Sequence, residues 1–182
     1  VDAEDVDYQN IIDIAVEEGM EKFNKKDAIV FQSLQMYRTD RLEYLKHLIE
    51  KSKSKDFYLG IKLVRGAYLE KERKLAKMRG EKSPVFNEKE ETDKAYNDAL
   101  KTCMENFERV SIFNGTHNNE SSELLKKLMK EKQLDNNDKN IYFAQLYGMS
   151  DDLSFNLAYE GYNVAKYLPY GPVKQVMPYL MR

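Results

Sequence analysis

The feature that most constrains this sequence is a repeated switch of hydrophobic period. Amphipathic stretches with helical spacing alternate with short runs, rich in β-branched and aromatic residues, of the length of a buried strand. Residues 9–25 place Ile11, Ile12, Ile14, Ala15, Met20 and Phe23 on an apolar stripe and predict a helix. Residues 28–35 predict a strand, and Leu42, Leu45, Leu48 and Ile49 return the pattern to helix over 41–50. The lysine- and serine-rich residues 51–55 read as a solvated loop before a strand at 58–64. The same reading gives a helix at 88–107, a strand at 110–113, a helix at 121–132, a strand at 141–145, a helix at 151–159, a strand at 164–167 and a helix opening after Pro172. Five βα units demand a mostly parallel sheet, because parallel neighbours need a crossover and the helix is the crossover.

Composition narrows the class without naming a partner. A chain of 182 residues, 42% hydrophobic and 33% charged, is long enough to bury a core and argues against disorder. Its 29 basic and 31 acidic residues leave a formal charge of -2, which gives no pull toward nucleic acid or an anionic membrane. Cys103 is the lone cysteine, so no intramolecular disulfide forms; it reads as a small buried helix residue in a reducing compartment, and no metal-ligand cluster accompanies it. No stretch approaches the length of a transmembrane helix, and residues 1–10 carry no basic and then apolar leader.

Periodicity leaves two architectures, an open doubly wound sheet or part of a β/α barrel. Polar residues cluster just after the strands: Gln35 and Tyr37, Arg65 and Tyr68, Thr116, His117 and Asn118, Gln145, and Tyr167. A barrel brings all such strand ends to one mouth, whereas an open sheet spreads them along an edge, so the barrel is favoured. No linker suggests a second domain, and neither G-x-G-x-x-G nor a Walker motif is present.

Six motifs then carry a family resemblance. Asp2-Ala3-Glu4, Leu34-Gln35-Met36-Tyr37, Lys62-Leu63-Val64-Arg65-Gly66-Ala67-Tyr68, Gly115-Thr116-His117-Asn118, Tyr147-Gly148-Met149 and Tyr167-Leu168-Pro169-Tyr170-Gly171-Pro172 resemble proline dehydrogenase in order and spacing. The resemblance covers essentially the whole chain and implies a (β/α)8 barrel, FAD as cofactor, and oxidation of proline to 1-pyrroline-5-carboxylate. It implies that residues 1–182 are the larger C-terminal part of one barrel domain. Residues 2–4 would be the tail of the third strand, and the five strands the fourth to the eighth. The family's second-strand lysine, and the second of two adjacent arginines on its eighth helix, are expected to lie outside this chain, Arg182 being the first.

Site roles follow from the same resemblance. Asp2, Tyr68 and Tyr167 correspond to the catalytic set, with Tyr68 near the substrate pocket at the barrel mouth, and Tyr167 packing on the proline ring with its hydroxyl joining a polar network that includes Asp2. Arg182 corresponds to the arginine that holds the substrate carboxylate, a role suited to a guanidinium fork. Leu146 corresponds to a residue lining the same pocket. Gln35 matches a glutamine beside the isoalloxazine, and Lys62 stands where other members carry arginine or lysine near the reactive flavin nitrogen. Arg65, Gly66 and Ala67 match the run that approaches the pyrophosphate, where glycine admits close backbone approach. Thr116, His117, Asn118 and Glu120 match the segment around the adenosine half, and Gln145 joins the cofactor set.

The resemblance further implies a quinone acceptor and peripheral membrane association, with no nucleic acid and no metal. The expected location is the cytoplasm or inner membrane face of a bacterium, or the mitochondrion of a eukaryote. The competing readings are another α/β barrel enzyme, or a non-catalytic fragment of the barrel.

Overall fold

The alternation read from the sequence becomes a run of strands and helices in a computed structural model, which describes residues 1–180 apart from the side chains of 175 and 178–180. The strands are β1 (Phe31–Gln35), β2 (Leu59–Val64), β3 (Val110–Gly115), β4 (Ile141–Leu146) and β5 (Val164–Tyr167). The helices are α1 (Val6–Phe23), α2 (Arg41–Lys55), α3 (Leu69–Arg79), α4 (Lys89–Glu105), α5 (Asn119–Glu131), α6 (Asp151–Tyr159) and α7 (Val173–Leu180). The five strands form one parallel sheet in chain order, β1-β2-β3-β4-β5. The order lacks the reversal of a doubly wound sheet, and β1 and β5 end it without closing it. The fold is α/β, and the chain divides into two compact units, Val1–Ile112 and Phe113–Arg182.

In the first unit the register decides which residues meet the helices. Gln32 pairs with Ile61 and Leu34 with Leu63, all essentially buried, on the face that α1, α2 and α4 cover. Leu45, Leu48, Tyr96 and Leu100 are also fully buried, each leucine contributing about 1.5–3 kcal/mol of transfer free energy. The helix side also holds charge. The Asp13 carboxylate accepts from Gln9 (2.7 Å), Gln32 (2.6 Å) and Arg41 (2.6 Å), and the Arg41 guanidinium stacks on Tyr44 at 4.5 Å. Removing one side of such a buried pair strands the other and costs roughly 3–5 kcal/mol.

The second unit is built on β4 and β5, with α6 packed on both. Its core includes Leu125, Met129, Ile141, Phe143 and Leu157, with Phe143 edge-on to Tyr162 at 5.2 Å. Phe113 stacks on Tyr142 with centroids 4.8 Å apart.

Four local expectations are corrected. The apolar stripe read for the first helix is not its buried face: Ile11, Ile14 and Phe23 are exposed, while Gln9, Asp13, Val16 and Met20 are buried, because the inward side of α1 is built on polar contacts to β1 and α2. Residues 51–55 are helical, not a loop: Lys51 and Lys55 reach back to Glu17 and Glu21 on α1, Ser52 is fully buried, and the helix closes only at Asp56 in the left-handed conformation. Helix α3 was not foreseen, because its buried residues are Glu72 and Ala76 and it has no apolar stripe to read. The first strand begins at Phe31 instead of residue 28. The Asn24 side chain accepts from the N–H groups of Ile29 and Val30 and donates to the carbonyls of Val30 and Tyr58, so this backbone is served outside the ladder. Cys103 is buried as expected, and burial pushes its thiol up to about 12.

Asp40 links this core to acid stability. Burial opposes its ionisation, but hydrogen bonds from Arg41 and Arg38 outweigh that and hold its pKa down to about 2. A carboxyl depressed in the folded state stabilises the fold above its unfolded pKa of about 4, and that stability fades as pH falls toward about 2. Asp40→Asn is therefore expected to flatten the fall of the urea midpoint between about pH 5 and about pH 2. Parallel midpoint curves for the variant and the unsubstituted protein would contradict this.

Candidate active site

Strand parity that sends leucines toward the helices sends polar residues the other way. Ser33 pairs with Lys62 and Gln35 with Val64 on the opposite face of β1 and β2. Residues before α1 run beside this face: the Ser33 N–H donates to the Val1 carbonyl at 3.1 Å. Asp2 is thereby set so that one carboxylate oxygen accepts from Lys62 (2.6 Å) and from the Ser33 hydroxyl (3.0 Å). Burial raises the Asp2 pKa, but the Lys62 and Ser33 hydrogen bonds and the Lys62 charge hold it below the usual carboxylate value. Asp2 is thus ionised at neutral pH and ion-paired with Lys62.

Gln35 is buried, and its amide is engaged at both ends. It donates to the Glu4 carbonyl at 2.7 Å and accepts from the Ala67 N–H at 3.2 Å, tying the loop after β2 to the segment that carries Asp2. Within that loop Gly66 has φ +138°, and the Tyr37 ring occupies the place a Cβ would take. Only glycine satisfies both demands. Arg65 donates to Asp93 at 2.6 Å and lies over the Tyr96 ring at 4.5 Å. The Tyr68 hydroxyl donates to the Glu4 carboxylate at 2.7 Å. Gly66 and Ala67 are exposed beside Arg65, so bare backbone and a guanidinium lie together, a combination that fits a phosphate group.

In the second unit the residues after β3 meet the end of β4. The Gln145 amide donates to the Thr116 carbonyl (3.2 Å) and accepts from the Ser154 hydroxyl (2.9 Å). The Thr116 hydroxyl accepts from the Asn118 N–H, and the Asn118 side chain caps α5 by accepting from Ser121 N–H at 2.9 Å. His117 Nδ1 lies 3.0 Å from the Ser150 hydroxyl, and Glu120 is exposed in the first turn of α5. Partial desolvation and then the nearby Lys166 charge hold the His117 pKa below its ordinary value. Leu146 and Tyr167 are register partners on the face of β4 and β5 opposite Gln145, with Tyr167 half exposed. Arg182 lies outside the described residues.

The structure thus gathers Asp2 with Lys62, Gln35 with Ala67, Thr116 with Asn118 and Gln145, and Leu146 with Tyr167. Sequence reasoning missed several partners: Ser33, Asp93, Ser150 and Ser154. Ser33 was detectable, since it stands two residues before Gln35 in a strand and so shares its face. The others lie far along the chain from the groups they hold and left no local signal. Among the described residues no group of three or more His, Cys, Asp or Glu could hold a metal, and no helix is long and apolar enough to cross a membrane.

A sheet of parallel strands joined by helices, with acidic, basic and amide groups on one face, defines a protein of the β/α class. Comparison with known proteins narrows the class. The family model described as Proline dehydrogenase matches residues 1–182, and the chain belongs to the proline dehydrogenase family. It is 41% identical to Proline dehydrogenase 2, mitochondrial, of Arabidopsis thaliana, over 100% of this chain and 39% of that protein. It is 38% identical to Proline dehydrogenase 1, mitochondrial, of Drosophila melanogaster, over 100% of this chain and 28% of that protein. The chain therefore spans well under half the length of these relatives. In fold it is similar to proline utilization A (PutA) from Bdellovibrio bacteriovorus inactivated by N-propargylglycine, with a TM-score of 0.90 and 24% identity, covering 98% of this chain and 19% of that one.

Gly66 gives a direct check of the loop. Gly66→Ala is expected to cost roughly 1–3 kcal/mol by denaturant unfolding, because it meets both a disfavoured φ and the Tyr37 ring. Gly80→Ala, at φ +67° with open space around it, should cost about 1 kcal/mol or less. Equal costs at the two positions would show that the Tyr37 contact does not matter.

Proposed function

We propose that the full-length protein oxidises L-proline to 1-pyrroline-5-carboxylate on bound FAD, the first step of proline catabolism, and passes the electrons to a quinone. The observation that carries this reading is the Asp2–Lys62–Ser33 cluster on the polar face of β1 and β2, in a chain that matches the family along its whole length. The five strands would be the fourth to eighth of a (β/α)8 barrel, and residues 1–182 the larger C-terminal part of that single domain. Sequential strand order and parallel pairing support this.

The flavin, when bound, supplies the two-electron acceptor for the hydride that leaves proline C5. Everything else falls to this chain's residues. Arg182 would take the substrate carboxylate in a bidentate contact. Tyr167 and Leu146, side by side on one strand face, would pack against the pyrrolidine ring and fix its orientation. The proline ring nitrogen would give up a proton to solvent before hydride leaves C5, and the Asp2 carboxylate, kept ionised by Lys62, would favour the positive charge that develops on that nitrogen as the iminium forms. Tyr68, held by Glu4, would close the pocket at its mouth.

Lys62 and Gln35 would lie along the isoalloxazine, with Arg65, Gly66 and Ala67 at the pyrophosphate. Thr116, His117, Asn118, Glu120 and Gln145 would serve the adenosine half. Transfer to a quinone calls for peripheral contact with a membrane, at the inner face of a bacterial membrane or in a mitochondrion; the two relatives named above are both called mitochondrial.

Steady-state proline oxidation by the full-length protein tests this reading. Asp2→Ala is expected to lower kcat/KM for proline by roughly ten- to a thousandfold, the usual range for loss of one preorganised charge. Full activity in that variant would remove Asp2 from the mechanism. A full-length protein that oxidises another amine but not proline would overturn the substrate assignment.

A further inference from the structure

The buried stripe of α1 is unusual in its first half. Its inward residues are Gln9, Asp13, Val16 and Met20, so two polar side chains occupy positions where a helix packed on a sheet ordinarily places apolar ones. Burying an amide gains nothing unless its donor and acceptor are both matched, and at Gln9 they are. Gln9 is 2% exposed; its amide nitrogen donates to Asp13 at 2.7 Å, and its oxygen accepts from the Glu4 N–H at 2.8 Å. Asp13 is held in turn by Gln32 and Arg41, so Gln9 is fastened to a buried carboxylate that β1 and α2 also grip.

Glu4 is where this anchor meets the site. Its N–H is held by Gln9, its carbonyl by Gln35, and its carboxylate by the Tyr68 hydroxyl. Gln35 then accepts from the Ala67 N–H. An unbroken line of side-chain hydrogen bonds runs from Arg41 through Asp13 and Gln9 to Glu4, and on through Gln35 to the loop at Gly66 and Ala67. Asp2 is two residues before the residue so gripped.

We propose that Gln9 is a positioning residue: by fixing Glu4 it sets both the Asp2 carboxylate and the Gly66–Ala67 loop, although it touches neither. The functional weight of this rests on the reading given under Proposed function, but the mechanical claim does not. Gln35, on this account, acts chiefly as the second link of the line, because each end of its amide is already engaged by backbone.

The test is amide hydrogen exchange on the full-length protein, freed of flavin, together with flavin affinity and proline kinetics of the loaded protein. Gln9→Met keeps the volume and removes both hydrogen bonds. It is expected to raise exchange at least about tenfold in peptides covering residues 1–5 and 64–68, and to weaken flavin binding by a similar factor. Tyr44→Phe is the control: it cuts the Tyr44 bonds to Glu17 and Gln32, which also join α1 to its neighbours, and leaves the Gln9 line intact. It should leave both peptides protected.

The double variant Gln9→Met/Gln35→Met is expected to be no looser at 64–68 than the looser single variant, as two breaks in one line must be. Unchanged protection at 64–68 in Gln9→Met, equal loosening in Tyr44→Phe, or additive effects in the double variant would each overturn the proposal. Should Gln9→Met fail to fold, Gln35→Met alone must loosen residues 1–5 as well as 64–68, and protection kept at 1–5 overturns it. Loosening seen in a protein that does not oxidise proline would retain the positioning role and reject the substrate. Protection retained in an active protein would reject the positioning role alone.

Discussion

Asp13 is 5% exposed and takes hydrogen bonds from three parts of the first unit: Gln9 on its own helix, Gln32 on β1 and Arg41 on α2. A carboxylate so placed is tolerable only with every partner present, since an unpaired charge in a low-dielectric interior loses several kcal/mol of solvation. The requirement makes the arrangement of α1, β1 and α2 nearly all-or-none. Around it, Arg41 bridges Asp13 and Asp40, Tyr44 and Lys51 meet on Glu17, and the helices are held in register by polar contacts as much as by their leucines. A purely apolar interface would give equal or greater stability with less definition of register.

Definition of register is what the site needs. The β1 and β2 side chains directed away from the helices include Ser33, Gln35 and Lys62, and their value depends on where the preceding segment brings Asp2 and Glu4. An error of one residue in strand pairing would reverse every face, burying Lys62 among leucines. The same parity acts in the second unit, where Gln145 is committed to the Thr116 loop and Leu146, its neighbour, to the face shared with Tyr167.

How much of this was legible depended on whether a residue's task is set locally. The strands and most helices were legible from period, but in α1 the period located the helix and not its inward face, which holds Gln9 and Asp13 while Ile11, Ile14 and Phe23 are exposed. Helix α3 was not, since its inward side chains are Glu72 and Ala76 and its burial is decided by Val6 and Tyr37, far away in the chain. Residues 51–55 looked like a solvated loop because their lysines find partners only on α1. Glycine at 66 could be matched to a family motif, but the Tyr37 ring that makes it obligatory is visible only in three dimensions. Among the site residues, the resemblance supplied positions whose hydrogen-bond partners the sequence could not supply. Gln35 is an example: chosen as a cofactor contact, it proves to be bound to the backbone of Glu4 and Ala67.

The function proposed for this arrangement is transfer of a hydride from proline to a flavin. The most direct measurement is the visible absorption spectrum of the purified full-length protein before and after anaerobic addition of proline. A flavin spectrum is expected that bleaches on addition of proline and stays unchanged with an amine that lacks the carboxylate, such as pyrrolidine. A bound flavin that proline leaves oxidised, or a folded full-length protein that binds no flavin, would contradict it.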